Sequence, residues 1–119
     1  MRSRSIVRIA LLCGAAAAIA GCATQKPPLY TWGGYTSAVY SQLQGAPEGP
    51  EKQIASLEED IEKARAKNGR LPPGLQAHLG LLYLTTGKTD QAQHAWQAEK
   101  AQFPESTTFM DFLLAKFKK

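Results

Sequence analysis

Residues 75–104, LQAHLGLLYLTTGKTDQAQHAWQAEKAQFP, constrain the fold more than any other part of this 119-residue chain. Their apolar residues fall into two blocks separated by Gly87, and both blocks read at helical spacing rather than strand alternation. The pattern predicts one helix from near Pro73 to about Thr86, terminated by Gly87. A second opens with Thr89 as N-cap and Asp90 in its first turn, and stops before Pro104. Gly80 and Ala92 are small, which lets two antiparallel helices approach closely, while Tyr83 and Trp96 can fill the space beside them. An antiparallel helical pair satisfies all of these positions.

The flanking segments are also helical in pattern. A helix is expected from about Pro50, a residue suited to a first helical position, with Ile54, Leu57, Ile61 and Ala64 forming one apolar stripe. Glu51, Glu58, Glu59 and Asp60 lie towards its start and Lys63, Arg65, Lys67 and Arg70 towards its end, an order that matches the helix dipole. Glu59 and Lys63 form a favourable i,i+4 pair, and Asn68-Gly69 supplies the stop. The acidic run EEDIE reads as a solvated face, since it lacks the Asp-x-Asp-x-Asp-Gly spacing of a calcium loop. Upstream, Ser37 to Gln44 fits a short helix presenting Val39, Tyr40 and Leu43, broken afterwards by Gly45, Pro47, Gly49 and Pro50. Downstream, Ser106 is placed to cap a last helix from Thr107, striped by Phe109, Phe112, Leu113 and Phe117 and widened by Met110 and Leu114. So wide an apolar girth must be covered by the chain itself, with the aromatics near Trp32 as the candidate cover, or form a partner site. The first is expected, because a small domain needs its hydrophobes for its own core. No stretch alternates with period two over a useful length, so the expected class is all-α.

The pair pattern resembles the tetratricopeptide signature W-x2-L-G-x2-Y, A-x3-F, P. Leu79-Gly80, Tyr83, Ala92, Trp96 and Pro104 match in register, with Gln76 standing where the Trp belongs. The resemblance implies a small helical domain with a tetratricopeptide-like antiparallel pair and flanking half-repeats. It also implies a concave binding face formed by the first helix of each pair, to which Ala77, Leu81 and Leu84 would contribute. The Lys, Asn and Arg residues with which some such repeats clamp a terminal carboxylate are missing from those positions. An apolar partner, or the chain's own aromatics, suits this face better.

At the other end, Arg2, Arg4 and Arg8 precede an apolar run, Ile9 to Ala20, that is too short to span a bilayer comfortably. Ile19-Ala20-Gly21-Cys22 resembles the lipobox of bacterial lipoproteins. The resemblance implies cleavage before Cys22, diacylglycerol on its sulfur and, usually, acylation of the new amine. The plainer alternative is a secreted protein with a leftover thiol. A disulfide lacks a partner, because the other cysteine, Cys13, lies in the segment to be removed. Two or three acyl chains on one residue would hold the protein permanently, whereas one binds only marginally. Ala23 after the cysteine, rather than Asp, suggests the outer membrane. The expected organisation is a signal peptide over 1–21, a lipid-anchored tether over 22–29 and a helical domain over 30–119.

Removing 1–21 leaves 98 residues, enough for one small domain. Three of the 14 basic residues go with the signal, leaving 11 against 10 acidic ones. That near-neutral balance argues against nucleic acid, which requires a concentrated basic face. Lys116, Lys118 and Lys119 are expected to complement the negative end of the last helix, with contact to anionic lipid as the alternative. Gly87-Lys88-Thr89 is not a phosphate loop, since position 82, where the first glycine belongs, is Leu82, and the segment follows a helix rather than a strand. His78 and His94 lack any His, Cys or acidic partner at ligand spacing, and no nucleophile motif is present. No cofactor, metal, small-molecule substrate or enzymatic activity is expected.

Tyr30, Trp32, Gly33 and Tyr35, then Pro72-Pro73-Gly74-Leu75, then Pro104-Glu105-Ser106 with Phe109-Met110-Asp111 carry a further resemblance. Their order is similar to that of a family of short bacterial lipoproteins catalogued as a domain of unknown function, of the DUF4810 type. Phe103 stands where that family often has Trp. The resemblance implies a setting in the cell envelope, often beside a lipoprotein similar to the curli-secretion pore subunit, and assigns no activity. The expectation is therefore a periplasm-facing adaptor or assembly factor with an envelope lipoprotein as partner, and a structural lipoprotein as the alternative. Trp32, Tyr35, Leu81, Leu84, Phe112 and Phe117 are the candidate partner-binding residues, and Cys22 the candidate lipidation site.

Overall fold

The computed structural model describes residues 26–45 and 48–117. The signal segment, the first half of the tether (22–25, with Cys22), Ala46, Pro47, Lys118 and Lys119 fall outside them. Among the described residues the elements are α1 (Tyr35–Leu43), α2 (Pro50–Ala66), α3 (Leu75–Thr85), α4 (Thr89–Gln102), a 3-10 turn (Pro104–Ser106) and α5 (Thr107–Lys116). The fold is all-α.

The α3–α4 pair forms the centre. Contacts step along the two helices in opposite directions: Lys88 N–H donates to the Tyr83 carbonyl, Trp96 packs on Gly80, and Glu99 reaches Gly74. Gly80 is required by proximity, because a Cβ there would collide with the Trp96 indole. Trp96 Nε1 donates to the Ala77 carbonyl at 3.2 Å, so the buried indole keeps its hydrogen bond while its ring fills the interface. Leu79, Gly80, Tyr83, Ala92 and Trp96, the residues of the sequence pattern, are all buried.

α2 packs on α3 through Ile54 and Leu57, with Ala64 buried and Ile61 half-buried on the same stripe. Burying each such aliphatic side chain contributes roughly 1.5–3 kcal/mol before the cost of ordering it. The Asn68-Gly69 stop operates through Asn68, which adopts φ 50° while Gly69 N–H returns to the Ala64 carbonyl at 2.8 Å. That pair of i→i−5 and i→i−3 bonds is the Schellman arrangement, and Gly87 with Lys88 repeats it at the end of α3. α5 closes the other side with Met110 and Leu113 buried, and Phe117 tilts against Trp96 at 5.8 Å.

Several boundaries differ from the sequence expectation. α3 begins at Leu75 rather than Pro73, because Gly74 sits at φ 90° and holds the turn out of the helix. Lys88, not Thr89, is the cap residue of α4, and no side-chain cap bond forms there. Ser106 precedes α5 as expected, but its hydroxyl donates to the Phe103 carbonyl at 2.7 Å, within the 3-10 turn, and caps no backbone N–H. α1 starts two residues before Ser37, with Tyr35 and Ala38 towards the core and Tyr40 and Leu43 exposed.

α1 and α2 form a second, looser hairpin. Six residues, 44–49, connect the two helices, and Gly34 at the start of α1 meets Asp60 in the second half of α2. Asp60 Oδ2 accepts the Gly34 N–H at 2.6 Å, and Glu99 Oε1 accepts the Gly74 N–H at 2.6 Å. Both first helices thus begin at a glycine whose N–H is taken by a carboxylate of the following helix. A negative charge at a helix N-terminus is favourable, so one device serves two hairpins.

Candidate functional site

The segment 30–35 is a strap docked on the junction between α2, α3 and the end of α4. Thr31 N–H donates to the Arg70 carbonyl at 2.7 Å, and the Arg70 guanidinium lies 5.7 Å from the Tyr30 ring centre. Tyr30 meets Phe103 edge-on at 6.2 Å, while Trp32 stacks on Tyr35 at 6.4 Å. Tyr35 meets His78 at 6.1 Å, and its hydroxyl would lie 2.6 Å from any Cβ placed on Gly74. Gly74 is therefore held by both its backbone angle and the phenol above it.

Buried polar groups cluster under this strap. Glu99 is 2% exposed, with Oε1 on Gly74 and Oε2 without a partner. Burial, and then the Glu99 charge, push the Tyr35 phenol above its ordinary value. Burial lowers the His78 pKa, and its Nε2 is also without a partner. On the neighbouring face the Tyr83 hydroxyl donates to Glu58, and burial followed by that bond raises the Tyr83 pKa. The EEDIE run is thus only partly a solvated face. Glu59 and Glu62 pair with Lys63 and Arg65 in the open, but Glu58 and Asp60 bind groups from other elements.

The six candidate partner-binding residues separate into two sets. Tyr35, Leu84 and Phe117 are half-buried against the core. Trp32, Leu81 and Phe112 are exposed at 45%, 41% and 57%. The aromatics of the strap do not cover α5: they lie against Arg70, His78 and Phe103, whereas Phe109 and Phe112 stay open on the last helix. The expectation that the chain covers both sides of that helix is corrected on this point. The strap is fixed by Asp60 on α2 and by Arg70 just beyond it, whereas α5 packs on α4, so the anchors hold the aromatics away from the open face of the last helix.

Sequence reasoning missed Leu29 and Glu99 as notable positions, and it placed Phe109 on the apolar stripe of the last helix without singling it out as a candidate site residue. Glu99 had a signal, since it continues the buried Ala92–Trp96 stripe three residues on. Two open clefts, of about 530 and 520 Å³, lie along α1–α2 and α2–α4. The first is lined by Ser37, Tyr40, Ser41, Gln53 and Ser56, the second by Glu58, Arg65, Tyr83 and His94. His94 is exposed on α4, and among the described residues no three His, Cys, Asp or Glu side chains group to hold a metal. In Gly87-Lys88-Thr89, Gly87 at φ 76° and Lys88 lie in the α3–α4 turn and Thr89 opens α4.

These features define a small all-α domain that leaves several large apolar and aromatic side chains exposed on an otherwise polar surface. The chain belongs to the DUF4810 family, a domain of unknown function, whose model matches residues 29–113. That span runs from the strap to the buried face of α5. No curated protein and no solved structure matches the chain.

Proposed function

We propose that this chain is a lipoprotein, acylated at Cys22, anchored in the outer membrane and facing the periplasm. It acts as an adaptor or assembly factor in an envelope complex, with another envelope lipoprotein as its partner. The family resemblance makes one similar to the curli-secretion pore subunit the first partner to try. The α3–α4 hairpin serves as a tetratricopeptide-like unit, with α5 standing where the first helix of a following unit would stand. The observation that carries the reading is the exposure of Leu81 on α3 and Phe112 on α5, the helices that would line the concave face of such a unit. An unpartnered face of a helical stack is ordinarily polar, whereas α5 exposes Phe109 and Phe112. The role is non-catalytic and needs no cofactor.

The test is a gentle detergent pull-down of the tagged, acylated protein beside Leu81→Asp/Phe112→Asp. Both residues are exposed, so the variant is expected to keep its circular dichroism and unfolding midpoint. One envelope lipoprotein recovered stoichiometrically with the native protein and lost with the variant is the expected result. Equal recovery from both moves the partner site away from Leu81 and Phe112, and recovery from neither overturns the adaptor role and leaves a structural lipoprotein without a dedicated partner.

A further inference from the structure

Leu29 to Pro47 contains no Asp, Glu, Lys or Arg, although one residue in five of the chain is charged. The same stretch holds Tyr30, Trp32, Tyr35 and Tyr40. Leu29, Trp32, Tyr40 and Leu43 are all exposed, Leu29 at 65% and Leu43 at 81%. Tyr40 and Leu43 are three apart on α1 and share one flank of it. In water these side chains are an unexplained liability, because α1 buries none of its residues fully.

We infer that Leu29, Trp32 and the Tyr40–Leu43 flank of α1 lie in the headgroup region of the bilayer that holds the protein. The inference rests on the Cys22 anchor proposed above. Six residues lie between Cys22 and Leu29, and the seven Cα–Cα steps reach at most about 25 Å even when fully extended. The uncharged, aromatic end of the domain is therefore the end that the anchor holds against the membrane. Tyr and Trp suit that depth, with an apolar ring on the acyl side and a polar atom among the headgroups. Ser37, Ser41 and Gln42 on the same helix, and Gln44 at its C-cap, can remain hydrated or bond headgroups without any buried charge. No helix among the described residues is long and apolar enough to cross, so α1 would lie in the interface plane. A protein partner for this flank is the competing occupant. The lack of any charge to fix register over the stretch, together with the short tether, favours lipid.

Once Cys22 is acylated, the mature chain has no other cysteine, so Leu43→Cys and Leu81→Cys each introduce one labelling site. The acylated proteins, confirmed by mass spectrometry and labelled with a nitroxide, are reconstituted into phosphatidylethanolamine–phosphatidylglycerol vesicles. The label at position 43 is expected to be relaxed by lipid-soluble oxygen and shielded from an aqueous nickel chelate, and the label at 81 to show the opposite. Trp32 should be quenched by lipids brominated near the headgroup, a signal lost in Trp32→Phe because Trp96 is fully buried. Equal aqueous exposure at 43 and 81 in verified acylated protein overturns the inference and leaves the anchor intact. Shielding at 43 that appears only when the partner lipoprotein is added also overturns it, in favour of protein docking. Failure of the native protein to take up radioactive palmitate, with Cys22→Ala as control, would instead remove the anchor reading.

Discussion

The two hairpins share a design and differ in how far they complete it. Each starts its first helix at a glycine and clamps that glycine's N–H with a carboxylate from the second helix, Asp60 in one and Glu99 in the other. Around Glu99 the hairpin is closed, with Leu75, Leu79, Gly80, Leu82 and Tyr83 buried on α3 against Ala92, Ala95 and Trp96 on α4. Around Asp60 it is open. α1 has no buried residue, and an open cleft lined by serines separates it from the start of α2. The difference lies in what faces the partner helix. α3 offers leucines and a glycine that lets Trp96 in, whereas α1 packs only Tyr35 and Ala38 against the core and leaves Tyr40 and Leu43 exposed. Stability is concentrated in the first arrangement, and the second leaves surface free for binding.

The sharpest way to break this comparison is Trp96→Ala. Truncating an indole that is wholly buried at the hairpin centre should cost about 3–5 kcal/mol, a large part of a small domain's stability, read as a fall in the urea midpoint. A loss below about 1 kcal/mol would show that the α3–α4 interface is not the centre of the fold.

The two clamps give a finer comparison. Glu99→Ala leaves the Gly74 N–H without its acceptor in a buried place and should cost about 1–3 kcal/mol. Asp60→Ala frees the Gly34 N–H where water reaches more easily, and should cost about 1 kcal/mol or less. Equal losses would mean that the α1–α2 hairpin is as tightly held as its neighbour.

Acid provides a smaller effect. Burial lowers the His78 pKa from its ordinary 6.5, so the unfolded chain binds this proton more readily than the folded one. The contribution is complete above pH 6.5 and is lost progressively as pH falls towards the lowered folded value. Unfolding midpoints measured between pH 8 and 5 should therefore decline less steeply in His78→Gln than in the native protein, and parallel curves would disprove the assignment. At the bottom of the scale, Leu43→Ser should change stability by no more than about 0.5 kcal/mol, since that side chain is exposed on the open hairpin. A clear destabilisation there would mean that α1 is packed by something other than solvent or membrane.

Much of the centre was legible. The positions from Leu79 to Trp96 identify the closed hairpin because small and large residues at helical spacing admit few other packings, and Asn68 and Gly87 mark ends because local backbone geometry rewards them. The candidate site was legible less well. Leu84 and Phe117 look like Leu81 and Phe112 in the sequence, and only their neighbours decide that the first two rest on the core while the second two stay open.

What the sequence by itself determined is local: helix periodicity, chain-reversing glycines, the small-residue approach at Gly80, and an uncharged aromatic stretch from Leu29 to Pro47. These follow from forces that act over a few residues. Tertiary structure alone decided that two acids in a run read as solvated reach other elements, that Glu99 is buried, and that the strap lies on Arg70, His78 and Phe103 rather than on α5. Those outcomes depend on which distant groups meet when the helices pack, and no spacing along the chain encodes a partner 25 or 26 residues away.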